Sequence, residues 1–141
     1  MSNQDTARTT DTIIRDGARG PYSTVIRVGD IVYLSGQGGF LPDGERAIGG
    51  IIPETHATLD NVSELLGRAG ASLRDLTQVT CYLVDIEELV DFNSAWDDYF
   101  GDSPRPTRTT IAAAALPFGL RLEMTCTAHV RADASHGGAS I

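Results

Sequence analysis

Two charged side chains stand out in the segment SPRPTRTTIAAAALPFGLRLEMTCTAHV, which runs from Ser103 to Val130. Arg108 and Glu123 each lie within a stretch that otherwise has the composition of a β-strand. A guanidinium offers a planar fork that pairs bidentately with a carboxylate and keeps its charge. A carboxylate can position or deprotonate a water molecule. The two residues could therefore form an anion site with a base. The alternatives are a salt bridge from Arg108 to a nearby acid, Glu123 being one possible partner, or charges on the solvated face of a sheet.

Three further polar residues lie where side chains could be held in a fixed direction. Asn93 falls beside the apolar stripe of a predicted helix, where its amide must find partners; one alternative is that it caps a neighbouring loop. Tyr22 follows a Gly-Pro turn, and Ser35 ends an apolar strand just before the glycine cluster at 36–39. That cluster has neither the GxGxxG nor the P-loop spacing, so we do not expect it to bind phosphate.

Composition excludes several kinds of chemistry. All 11 basic residues are arginine, which rules out Schiff-base catalysis through lysine and a P-loop. His56, His129 and His136 lack metal-ligand spacing, so we expect no metal site. The formal net charge of −8 disfavours nucleic acid, which requires a concentrated basic surface. The apolar runs are too short to span a bilayer and no leader opens the chain, so we expect a cytoplasmic protein.

The length of 141 residues indicates one domain with a single core. Cys81 and Cys126 both fall in apolar strand patterns without CxxC spacing, which favours buried free thiols. The polar start and the Gly-rich end of the chain indicate flexible segments at 1–11 and 132–141, which leaves a domain over 12–131. The acidic composition alone does not indicate a binding partner.

The pattern alternates strands with two helices in the order ββαβαββ. Apolar residues at helical spacing predict helices from Glu54 to Ala69 and from Leu89 to about Phe100. The predicted strands are Val25–Val28, Ile31–Ser35, Thr77–Val84, Thr107–Ala113 and Leu120–Arg131. This order predicts a two-layer α+β domain in which one mixed sheet carries both helices on one face.

Alternation along the last strand separates two sets of side chains. Leu122, Met124 and their apolar neighbours should face the helices, and Glu123 should then lie on the free face of the sheet. We assume that Arg108 and Thr110 share that free face. One chain has nothing left to cover it, so the face is either wet or covered by other copies.

An ordered set of short motifs resembles the RidA (YjgF) family of reactive-intermediate deaminases from about Thr12 to Arg131. The set comprises GPY, SGQ, TLDN, GASLRDLTQVTCYLVD, FN, and above all PTRTT followed by LP and LEM. The resemblance implies a chorismate-mutase-like fold with a mixed six-stranded sheet. It also implies a homotrimer whose sheets form a central barrel, with sites in the clefts between subunits.

The resemblance further implies cofactor-free hydrolysis of 2-imino acids, such as 2-iminopropanoate and 2-iminobutanoate, to 2-oxo acids and ammonia. Carried over by position, Arg108 would hold the substrate carboxylate and Glu123 the attacking water. Tyr22, Ser35 and Asn93 would shape the pocket. Thr110 stands where many members have cysteine, and Gly38–Phe40 depart from the commoner Ile-Pro. The alternatives are a pathway enzyme acting on a larger imine or enamine acid, or a non-catalytic ligand-binding trimer. A ribonuclease is disfavoured by the charge.

Overall fold

The computed structural model describes residues 11–131, so the segments expected to be flexible lie outside the described residues except for Asp11. The chain forms one mixed sheet of six strands in the order β1-β2-β3-β6-β4-β5. All neighbours are antiparallel apart from β4 and β5. The α+β class and the six-stranded sheet are thus confirmed. The strands are β1 (Thr12–Ile14), β2 (Val25–Val28), β3 (Ile31–Gln37), β4 (Leu76–Leu83), β5 (Thr107–Ala112) and β6 (Leu122–His129).

The strand pattern alone had missed β1. Its three residues pair antiparallel with β2, so Ile13 lies opposite Ile26. A strand this short has no alternation from which it could be predicted. β1 is defined only by its pairing with β2, whose residues lie more than ten positions further along the chain.

The two helices are α1 (Ile51–Arg68) and α2 (Leu89–Phe100). α1 begins three residues before the predicted Glu54, directly after Gly50, which has φ 102° and provides no side-chain cap. It ends at Arg68, and Gly70, with a φ of 80°, turns the chain away while the Ala71 amide donates to the Leu66 carbonyl at 2.8 Å. Single turns of 3-10 helix follow at 73–75, 86–88 and 117–119.

The core lies between both helices and one face of the sheet. The apolar set of β6 is buried there, with Leu122, Met124, Cys126 and Ala128 each no more than 1% exposed. Removing a side chain of the size of leucine or methionine from water stabilises a fold by about 1.5–3 kcal/mol. The predicted alternation of β6 is therefore confirmed, and Glu123 lies on the opposite, free face. Both cysteines are buried free thiols, and burial raises the pKa of each to about 12.

The face taken by β5 differs from our assumption. The helix α2 carries the chain back so that β5 runs parallel to β4. Arg108 lies opposite Val79, and Val79 lies opposite buried Cys126 on the other side of β4. Side chains at paired positions share a face, so Arg108 points towards the helices. The expectation that it shares the face of Glu123 is wrong.

No helix in residues 11–131 is long and apolar enough to cross a membrane.

Candidate active site

A cleft of about 340 Å³ opens beside the start of β6, and we call it the Glu123 cleft. Three of the predicted site residues line it together, namely Tyr22, Ser35 and Glu123. They come from a turn, from β3 and from β6, so the cleft depends on the pairing of β3 with β6. That pairing carries a bulge between Leu34 and Gln37, which displaces the end of β3 next to Glu123.

Glu123 rests against the backbone of β3. A Cβ added at Gly36 would overlap the Glu123 carboxylate, so only glycine leaves the carboxylate this position. Partial burial raises the pKa of Glu123 above its ordinary value, because the charged form loses hydration. A carboxylate beside a cleft whose pKa is raised by burial is a stronger base than a fully hydrated carboxylate, which suits the role of a general base.

Ser35 and Tyr22 form the wall above Glu123. The Ser35 hydroxyl donates to the Thr24 carbonyl at 3.3 Å, which leaves its lone pairs available to a ligand. The backbone amide of Tyr22 donates to the Gly20 carbonyl at 2.9 Å, closing the predicted turn. The Tyr22 ring is folded back over Gly20, where an added Cβ would collide with it. The turn therefore directs the ring to the cleft.

Two residues that position the cleft were missed by sequence reasoning. The Asn61 amide, on α1, donates to the carbonyls of Gly38 and Phe40 at 2.9 Å each and holds the glycine turn. One carboxylate oxygen of Glu54 accepts hydrogen bonds from the backbone amides of Arg121 and Leu122, at 2.7 and 3.2 Å.

Glu54 is almost completely buried, and burial raises the pKa of its carboxyl. It holds the chain where β6 begins, two residues before Glu123. A signal for it existed in the sequence, because Glu54 shares helical spacing with the buried positions Thr58, Val62 and Leu65. An acid on the buried stripe of a helix indicates a carboxylate with partners in the interior.

The remaining predicted site residues lie elsewhere. Arg108, Asn93 and Thr110 lie on the helix-packed side of the sheet, and with the rings of Phe92 and Trp96 we call them the Arg108 cluster. The Arg108 guanidinium donates to Asn93 Oδ1 at 2.5 Å, and its Cζ lies 4.9 Å from each ring centroid. Asn93 thus orients the guanidinium and does not cap a loop.

No carboxylate among residues 11–131 of the same chain lies within ion-pair distance of Arg108, so Arg108 and Glu123 form no salt bridge within one chain. The guanidinium is held from one side by an amide and two aromatic faces. Its other donors are free to bind a planar anion. Thr110 follows Arg108 by two residues on β5. Its hydroxyl is enclosed beside the buried thiol of Cys81 and makes no well-formed hydrogen bond.

The Glu123 cleft and the Arg108 cluster cannot meet within one chain. β4 lies between β6 and β5, which separates the two strands by about 10 Å. The side chains of Glu123 and Arg108 moreover leave opposite faces of the sheet. Among the described residues, no group of three His, Cys, Asp or Glu side chains is arranged to hold a metal ion.

Comparison with known proteins gives matches that cover most of the chain. A family model described as Endoribonuclease L-PSP matches residues 13–130, a range that includes every predicted site residue. The human protein named 2-iminobutanoate/2-iminopropanoate deaminase is 36% identical over 113 residues, which cover 79% of this chain and 82% of that protein. Other relatives carry only the name of the RutC family.

Solved structures superpose on most of the chain. A Rid-family protein of Yersinia pestis, YyfA, superposes with a TM-score of 0.79 at 30% identity, covering 85% of this chain and 99% of that one. TdcF of E. coli, crystallised with bound serine, superposes with a TM-score of 0.77 at 29% identity, covering 82% and 92%.

Proposed function

Because the chain belongs to the RidA (YjgF) family, we propose that it is a cofactor-independent hydrolytic deaminase of 2-imino acids and their enamine tautomers. The products are 2-oxo acids and ammonia, and 2-iminopropanoate and 2-iminobutanoate are the simplest substrates. The human relative named for this activity supports the reaction class. The relative crystallised with serine supports a small ligand with a carboxylate.

One observation carries the proposal: the chain holds two complementary halves of such a site where they cannot reach each other. The Arg108 cluster offers an oriented guanidinium without a carboxylate partner among the described residues. The Glu123 cleft offers a carboxylate in a pocket. Each half is chemically incomplete. A site formed between two copies, with Arg108 from one and Glu123 from the next, would be complete.

The free face of the sheet supports assembly of several copies. Ile13, Tyr33 and Ile111 are 49%, 47% and 46% exposed, and their pairing places them all on the face of Glu123. Large apolar side chains on one open sheet face favour a covering layer. We therefore propose a homotrimer in which the three free faces cover one another and the sites lie between subunits.

The reaction needs little from the protein. In the iminium form of the substrate, C2 is already electrophilic, so catalysis is chiefly placement of water plus a modest base. Arg108 holds the substrate carboxylate, and Glu123 takes a proton as the water oxygen bonds to C2. Return of that proton to the amino nitrogen makes ammonia a leaving group. As the C–N bond breaks, an oxygen lone pair completes the carbonyl and the hydroxyl proton passes to Glu123, which later releases it to the departing ammonia. Tyr22, Ser35 and Thr110 contribute hydrogen bonds and shape.

The test couples an amino-acid oxidase to the protein and follows imine disappearance for alanine, 2-aminobutyrate, leucine and phenylalanine. We expect faster loss of at least one imine than in buffer, and a trimer by sedimentation. Activity only on the larger imines would indicate the pathway-specific alternative. No acceleration, together with calorimetric binding of 2-oxo acids, would indicate a non-catalytic ligand-binding trimer. A monomer at micromolar concentration would contradict the shared site.

Ribonuclease activity, which the description of the family model names, is a weaker candidate. The chain carries a formal net charge of −8 and no lysine. RNA affinity depends on neutralising several phosphates with clustered cations.

A further inference from the structure

Three side chains on the rim of the Glu123 cleft have no part in the proposed reaction. They are Arg19, Phe40 and Phe118. The Arg19 Cζ lies 3.5 Å from the centroid of the Phe40 ring and 5.8 Å from that of Phe118. The two rings meet edge to face with centroids 5.8 Å apart. A guanidinium stacked this closely on a ring keeps its orientation, and its N–H groups point outwards in the plane.

The hydrogen-bonding capacity of Arg19 is almost unused. Its Nη2 donates to the Gly44 carbonyl at 3.4 Å, which is long for a hydrogen bond. No carboxylate in the described part of the chain lies within ion-pair distance of it. In a protein with a formal net charge of −8, an oriented cation without an acid, on the rim of a cleft, is a candidate anion contact.

The backbone supports the rim as a built feature. Phe118 has φ 62° and ψ 17°, and it is the one non-glycine residue with positive φ among residues 11–131. An aromatic residue in the left-handed region is strained and persists only where its surroundings hold it there. Arg46 Nη1 donates to the carbonyl of Gly119, the next residue. The turn thus keeps the Phe118 ring beside Phe40 and Arg19.

We propose that Arg19 binds a second, distal carboxylate, so that the preferred substrates are 2-imino and enamine acids with two carboxylates. This inference rests on the proposed function, in which Arg108 of a neighbouring copy binds the carboxylate next to C2. A dianion approaching an acidic protein and the Glu123 carboxylate is repelled unless a second cation meets it. Arg19 supplies that cation at the mouth of the same cleft, with fork geometry suited to a carboxylate.

The test uses 2-oxo acids as probes, because they are the products and their binding requires no catalysis. Calorimetry would compare 2-oxobutanoate, 2-oxoglutarate and 3-phenyl-2-oxopropanoate on the wild type, on Arg19→Gln and on Arg15→Gln. Arg15 is an exposed arginine that does not line the cleft, so its variant changes the net charge equally. We expect 2-oxoglutarate to bind about 10-fold tighter than 2-oxobutanoate. That ratio should fall about 10-fold in Arg19→Gln and stay unchanged in Arg15→Gln.

Three results would overturn the proposal. Equal weakening of both aliphatic probes in Arg19→Gln would mean that Arg19 binds the carboxylate next to C2. Tightest binding of the phenyl probe, independent of Arg19, would make the rim a pocket for aromatic side chains. An equal loss of the ratio in Arg15→Gln would leave only a general effect of charge.

The outcome can be separated from that of the proposed function. If imines are not hydrolysed but the Arg19-dependent preference for 2-oxoglutarate holds, only the proposed reaction fails. If imines derived from mono- and dicarboxylic amino acids are hydrolysed equally well and Arg19→Gln alters neither rate, only the present inference fails.

Discussion

Complementation between two inactive variants tests whether the site is shared by two copies of the chain. We expect Arg108→Ala and Glu123→Gln each to lose most imine hydrolysis, by about 10²-fold or more for removal of a general base. Neither side chain belongs to the apolar core, so both variants should fold. Together they should recover activity that neither has alone.

The expected recovery of activity can be calculated, because each site takes its two residues from different subunits. In a cyclic trimer each site takes Arg108 from one subunit and Glu123 from the next. With equal amounts of the two variants assembled at random, half of the subunits supply an intact Arg108 and half supply an intact Glu123. About a quarter of the sites then contain both, so activity should rise to about 25% of the wild-type value.

The assay denatures the two variants together, refolds them, and measures imine loss in the coupled oxidase reaction. Each variant refolded alone gives the background, and refolded wild type gives the scale. Co-expression with two different affinity tags provides the same mixed trimers without denaturation. A mixture that stays at the background, while sedimentation shows mixed trimers, would refute the shared site. Arg108 and Glu123 would then have to act within one chain or not together.

Three further perturbations test individual contacts. Burial raises the pKa of Glu123 in the folded protein above its ordinary 4.5. The folded state therefore binds the proton more tightly than the unfolded state, and the stability that protonation provides is lost as pH rises through the folded pKa. The melting temperature of Glu123→Gln should therefore exceed that of the wild type at pH 7 and match it below pH about 4. Gly36→Ala should displace the Glu123 carboxylate and slow hydrolysis about 10²-fold, whereas Gly67→Ala, with open space at its Cβ, should fold and react normally. Urea unfolding of Glu54→Ala should show a free energy of unfolding lower by about 1–3 kcal/mol, because two backbone amides lose their acceptor. The control Glu64→Ala, at an exposed position, should lose almost nothing. Equal losses in the two variants would contradict the buried role of Glu54.

The sequence by itself determined the features that depend on local periodicity. Alternation along β6 separates a buried apolar set from a polar set whatever the strand pairs with, because side chains point to alternate faces. It therefore predicted that Glu123 leaves the core. Helical spacing likewise located α1 and α2, and the ordered motifs from GPY to LEM indicated the family. None of these conclusions needs a contact between distant residues.

Only the tertiary structure decided which side of the sheet Arg108 occupies. β5 reads TRTTIA and carries no apolar set that prefers the core, so alternation separates its residues without assigning a face. The face is set by parallel pairing of Arg108 with Val79, after a crossover through α2. The contacts of Glu54 and Asn61 likewise reach 67 and 21–23 residues along the chain. Periodicity within one segment carries no information on such pairings, because register and long-range hydrogen bonds arise only when the segments pack together.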